Sequence, residues 1–136
     1  MTEYHVDADL QYLDEVQDFV RAQLEAYDVE PKVLFQIELA VEEIFTNITS
    51  YAYNPEVGKA TIKCIVQKDP LSVTIQFLDS GKPFDPLKKE EADTSEEALL
   101  ERTGGLGIFL VRKNMDDVTY SYEEGKNILT ITKKIG

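Results

Sequence analysis

The chain has 136 residues, 43% of them hydrophobic and 10% aromatic, a length and composition suited to one globular domain around a single core. Its 26 acidic residues against 14 basic ones leave a net charge of -12; this repels nucleic-acid phosphates and anionic lipid, so a broad basic footprint for either partner is excluded. A lone cysteine, Cys64, excludes an intrachain disulfide and reads as a small core residue in a reducing cytoplasm, and the chain shows neither a signal peptide nor an apolar run long enough to span a membrane.

In chain order, Glu3 to Val6 reads as a short first strand, with Asp7 or Asp9 placed to cap the next element. Leu13, Val16, Val20 and Leu24 recur at helical spacing among charged residues, which predicts an amphipathic helix over about 10–26. Pro31 suits the first turn of a second helix, whose apolar stripe of Leu34, Ile37, Val41, Ile44 and Ile48 runs to about Tyr51 or Tyr53 before Asn54-Pro55 and Gly58 stop it. Two alternating runs come next, Ala60, Ile62, Cys64 and Val66, then Leu71, Val73, Ile75 and Phe77, separated by Lys68-Asp69-Pro70. They predict a hairpin with one apolar face.

The 22 residues between Gly81 and Gly104 are rich in Asp and Glu, with Leu87, Leu99 and Leu100 scattered among them. A polar segment of this length is a lid, a binding loop or a disordered stretch. Thr103-Gly104-Gly105-Leu106-Gly107 then leads into a short apolar helix marked by Ile108, Val111 and Met115. Val118, Tyr120 and Tyr122 pair across Glu123-Glu124-Gly125 with Ile128 to Ile131 as a last hairpin. The predicted architecture is α+β, a two-layer sandwich of three helices on one face of a mostly antiparallel mixed sheet.

Three polar features interrupt these patterns. The glycine run either makes a tight turn or cradles an anion, because a helix N-terminus offers unpaired N–H groups and the positive end of a dipole. Glu43 and Asn47, one turn apart, lie beside the apolar stripe; they either form a solvated face, as Glu38 and Glu42 do, or present hard oxygen atoms to a hydrated Mg²⁺ or an attacking hydroxyl. Counting by two from Leu71 puts Asp79 on the inward face of its strand. It either ends the strand in a turn or stands at the bottom of an apolar slot, where its carboxylate suits the exocyclic amine of adenine, with Gly81 admitting a flat base close to the backbone. The sole histidine, His5, reads as a plain surface or strand residue.

Taken together, Glu43-Ile44-Phe45-Thr46-Asn47 on a helix, Asp79-Ser80-Gly81 after a strand, a lid, and Gly105-Leu106-Gly107 before a helix resemble the N, G1 and G2 boxes of the GHKL ATPases. Within that superfamily the chain is most similar to the bacterial anti-sigma-factor serine kinases, a likeness carried also by Ile37 to Glu43, Ala52-Tyr53, Phe84-Asp85-Pro86 and Met115-Asp116-Asp117-Val118. Three places depart from the pattern: Pro83 stands where a second glycine is usual, Tyr51 where histidine is frequent, and Lys126-Asn127-Ile128 where relatives carry Gly-Thr-Thr.

The resemblance implies a single Bergerat-type ATP-binding domain with a lid over about 82–103. Asn47 would hold Mg²⁺ bridging the phosphates of ATP, and Glu43 would act as general base. Asp79 would bind the adenine amine and Gly81 would let the base pack closely. Thr103, Gly104, Gly105, Leu106 and Gly107 would wrap the phosphates. Arg102 is either the cation for the γ-phosphate or a solvated lid residue. The implied acceptor is a serine of a small anti-anti-sigma protein, the implied partner a sigma factor, and the implied assembly a homodimer. A regulatory module that only sequesters its partner is the alternative.

Overall fold

The computed structural model describes residues 1–52, 58–83, 85–87 and 105–136, and within these every side chain except those of Tyr51, Ala52 and Leu106. Strand β1 (Thr2–Asp7) leads through a 3₁₀ turn at Leu10–Tyr12 into helix α1 (Leu13–Leu24), and a second 3₁₀ turn, Glu25–Tyr27, comes after it. Of the two aspartates expected to cap this region, Asp9 does so, its carboxylate accepting from the Gln11 amide at 3.0 Å. Asp28 then adopts a left-handed conformation that ends the turn. Helix α2 (Pro31–Asn47) begins on proline, as anticipated, and continues as a π-helical turn over Ile48–Ala52.

Strands β2 (Lys59–Gln67) and β3 (Ser72–Asp79) form the first hairpin. Helix α3 (Gly105–Asn114) and strands β4 (Asp117–Glu123) and β5 (Lys126–Lys134) complete the described elements. The β4–β5 hairpin turns on Glu124 and Gly125, both at positive φ, the pairing of a tight turn that matches strand twist. Sheet order is β1-β2-β3-β5-β4, and every pair among the described strands is antiparallel.

Register sets the two faces apart. One carries rows of buried apolar residues, Ile62–Phe77–Leu129 and Cys64–Ile75–Ile131, aligned across β2, β3 and β5. The other carries Thr74 beside Thr132 and Gln76 beside Thr130, whose polar groups meet at 3.4 Å. The helices cover the apolar face. Val16, Val20 and Leu24 of α1, Ile37, Ala40, Val41, Ile44 and Phe45 of α2, and Val111 of α3 with Met115 just beyond it join the strand residues in one core. Cys64 lies in it as expected, its thiol pushed up to about 11 by burial.

Helix α2 is wedged between α1 and α3 as well as laid on the sheet, so it buries more than the single stripe its periodicity announces. Phe45, outside that stripe, is fully buried. Glu38, read as solvated, instead pairs with Arg21 of α1 at 2.8 Å, a half-exposed ion pair of small energetic consequence. The segment 88–104, including most of the expected lid, lies outside the described residues.

Replacing a fully buried Phe removes its transfer free energy and leaves a cavity. Phe45→Ala is therefore expected to cost about 3–5 kcal/mol in urea unfolding, and a loss below about 1 kcal/mol would show that the core around Phe45 is not closely packed.

Candidate functional site

The buried face of the sheet is apolar until its last row. On β3, Val73, Ile75 and Phe77 point into the core and Asp79 continues in the same direction, as alternation predicted. Its neighbours in register are Ala60 on β2 and Asn127 on β5. Asp79 is 6% exposed and Asn127 5%, so both need hydrogen-bond partners.

Asn127 supplies most of them. Its side-chain amide donates to Asp79 Oδ1 at 2.9 Å and to the Lys82 carbonyl at 2.9 Å, while its oxygen accepts from the Tyr120 hydroxyl. Acceptors on one side and a hydroxyl on the other determine which end of the carboxamide is nitrogen. The Gly81 amide adds a second donor to Asp79 Oδ1 at 3.0 Å. Burial pushes the Asp79 carboxyl above its ordinary value, opposed by the bonds from Asn127 and Gly81. Both bonds end on Oδ1, which leaves Oδ2 to serve an incoming donor.

Beside this pair is an open pocket lined by Ile44, Asn47, Ile48, Phe77, Asp79, Pro86, Tyr120, Asn127 and Leu129. Apolar walls around a few converging polar groups are what a small-molecule site requires. Asn47 reaches it from the last turn of α2, with its side-chain nitrogen buried and unpartnered among the described residues. Asp85 caps its own turn by accepting from the Leu87 amide at 2.9 Å, which sets Pro86 at the rim.

Glu43 is one turn back on α2, outside the pocket lining and half-buried against α3. Burial raises its carboxyl pKa, and the neighbouring Glu42 raises it further. A Cβ on Gly107 would stand 1.8 Å from Glu43 Oε2, so the absence of a side chain there makes room for the carboxylate. The glycine run also starts its helix earlier than periodicity suggested: α3 opens at Gly105, so Gly105, Leu106 and Gly107 occupy its first turn rather than a preceding loop. Arg102, Thr103 and Gly104 lie outside the described residues.

Asn47, Asp79, Gly81 and, one helical turn away, Glu43 are thus gathered at one end of the sheet. Sequence reasoning noted Asn127 only as a departure from a family pattern and gave it no role. The signal available was its place two residues after Gly125, which fixes the β5 register and sets it opposite Asp79. His5 is an exposed strand residue beside the Thr61 hydroxyl at 3.0 Å.

A family model described as the histidine kinase-like ATPase domain matches residues 6–133. The serine-protein kinase RsbW of Listeria monocytogenes serovar 1/2a is 36% identical over 104 residues, covering 73% of this chain and 64% of that protein, so the chain spans less than two thirds of that relative's length. The anti-sigma F factor of Caldanaerobacter subterraneus subsp. tengcongensis is 28% identical over 141 aligned positions, covering 98% of this chain and 97% of its own. Among solved structures, the RsbU and RsbW domains of Rv1364c from Mycobacterium tuberculosis align with a TM-score of 0.66 at 15% identity, over 99% of this chain and 33% of that one. That last likeness is one of fold.

Two substitutions test this geometry. Gly107→Ala should destabilise the protein by about 1–3 kcal/mol through overpacking against Glu43, yet in a Glu43→Ala background it should be neutral or stabilising by up to about 1 kcal/mol, since alanine is the better helix former. Equal losses in both backgrounds would refute the contact. Asp79→Asn should raise the melting temperature by a few degrees at neutral pH. Because the folded protein raises the Asp79 pKa, ionisation destabilises the fold above that value; the gain from asparagine should therefore shrink as pH falls toward the unfolded carboxyl value of 3.8. A gain that grew on acidification would contradict this.

Proposed function

The chain belongs to the histidine kinase-like ATPase family, and on that premise we propose that it is an anti-sigma regulatory factor with ATP-dependent serine kinase activity. In this reading it holds a sigma factor, phosphorylates a serine of a small anti-anti-sigma protein, and works as a homodimer. The names of two relatives, a serine-protein kinase and an anti-sigma F factor, support the reading. The observation that carries it is Asp79 in the lining of an apolar pocket, both its internal hydrogen bonds on Oδ1.

Each residue then has one task. Asp79 Oδ2 accepts from the exocyclic amine of adenine, Ile44, Ile48 and Phe77 flank the base, and Gly81 leaves space beside it. Asn47 stands on the phosphate side of the pocket. Its side-chain nitrogen is buried and unpartnered among the described residues, a donor that fits a phosphate oxygen, while the oxygen of the same carboxamide would be the atom to hold a hydrated cation. No cluster of three or more His, Cys, Asp or Glu that could hold a metal occurs among the described residues, so such a cation would draw its other ligands from phosphate and water. Bound Mg²⁺ supplies neutralisation of phosphate charge.

The first turn of α3, with Gly105, Leu106 and Gly107, offers backbone N–H groups to the phosphates, and Thr103 and Gly104 extend that cradle. Arg102 adds the cation for the γ-phosphate. Glu43 takes the proton from the serine hydroxyl as its oxygen bonds to the γ-phosphorus and ADP departs with the broken bond's electrons. A carboxylate whose pKa is raised by burial is a better base than a solvated one. The whole forms one domain, with residues 82–103 as its lid.

Saturating Mg-ATP or Mg-ADP should raise the melting temperature, since a ligand at about 100 times its Kd adds about 2.7 kcal/mol. Glu43→Ala should retain that shift while abolishing transfer from radiolabelled ATP to a co-encoded antagonist. No shift with either nucleotide would refute the ATP site. A shift with no transfer by the wild-type protein to any acceptor would favour a module that acts by sequestration alone.

A further inference from the structure

Asp79 can read an amine only if one carboxylate oxygen is kept turned toward the pocket, and a carboxylate rotates broadly about its last torsion. The Gly81 amide alone constrains it from the side of the turn. The second constraint comes from the neighbouring strand. Asn127 is held from three directions: by Asp79 on β3, by the Lys82 carbonyl in the turn after it, and by the Tyr120 hydroxyl on β4. All of this takes place in the pocket's own wall, where Asp79, Tyr120 and Asn127 are neighbours.

The chemistry of that position is specific. It requires two donors aimed at two acceptors and an acceptor aimed at a hydroxyl, within one flat group, and a carboxamide meets all three demands. An aspartate there would supply no donor and would face Asp79 with like charge; a threonine would supply one donor and leave the Lys82 carbonyl without its partner. We infer that Asn127 is a positioning residue that sets the protein's selectivity for an amino group on the purine, by locking Asp79 so that Oδ2 faces the pocket, with Tyr120 fixing Asn127 in turn. The inference rests on the nucleotide reading proposed above and adds to it the part of the site that discriminates among bases.

The test compares two nucleotides on the intact chain by calorimetry: ADP, and the diphosphate of purine riboside, which lacks the exocyclic amine. Wild type should prefer ADP by roughly tenfold or more, the scale of a hydrogen bond to a charged group. Asn127→Ala should weaken ADP by about that factor while leaving the amine-free nucleotide within about threefold, so that the preference collapses. Tyr120→Phe, which keeps the ring volume, should produce a smaller change in the same direction. Asn127→Thr should recover part of the preference.

A merely structural role would lower both affinities together, and that result would overturn the inference. So would an unchanged preference in Asn127→Ala and Tyr120→Phe. If Asn127→Ala fails to fold, Tyr120→Phe decides alone, by losing selectivity or keeping it. Failure of the wild-type protein to bind ADP would instead overturn the nucleotide reading, a distinct outcome seen before any variant is made.

Discussion

The arrangement depends on a single uncomfortable group, the carboxylate of Asp79 at the end of an otherwise apolar sheet face. Burial of a charge without partners is costly enough to unfold a small domain, so the chain surrounds this one with donors from three places: the Gly81 amide, the Asn127 side chain and, through Asn127, the Tyr120 hydroxyl. Those partners come from the turn after β3, from β5 and from β4. The sheet must therefore close in its β3-β5-β4 order before Asp79 is tolerable. The remaining carboxylate oxygen keeps an unmet appetite for a donor. Local discomfort of this kind is how a stable fold keeps a site receptive.

A second constraint links the sheet end to the helices. Glu43 and Asn47 are on α2, and α2 is clasped by α3 where Gly107 admits the Glu43 side chain. The position of the carboxylate is thus set by a helix that begins at the glycine run. Any displacement of the first turn of α3 would alter the surroundings of Glu43, so the groups proposed to hold phosphate and the proposed base share one mechanical joint.

Much of this was legible in the sequence because it is local. Period-two alternation turned Asp79 inward, period 3.6 gave the stripes of α1 and α2, and Ile108, Val111 and Met115 are buried as their spacing required. The illegible part depends on distant pairing. Helix α2 packs against α3, which arrives from some sixty residues later in the chain, and nothing in the local period of α2 announces that second neighbour. Asn127 looked like a departure in a turn; its meaning lies in the β3–β5 register, which joins residues 48 positions apart. The glycine run suggests a loop that brings backbone close to a ligand because glycine has no Cβ; at Gly107 the group that approaches is the Glu43 side chain.

Strand β5 has a further property, which concerns the changes that lineages can and cannot make. Near one end it places Asn127 against Asp79; near the other, Lys133 donates to the Asn114 carbonyl at the C-terminus of α3. The stretch between acts as a measuring rod about 20 Å long, at roughly 3.4 Å per residue. A one-residue insertion within it would flip every later side chain to the opposite face, releasing either the clamp or the helix cap. Length variation among descendants should therefore gather away from β5, while the outward-facing Thr130 and Thr132 leave that strand's exposed side open to change of composition. The rod's inner face carries the constraint and its outer face the freedom to diverge.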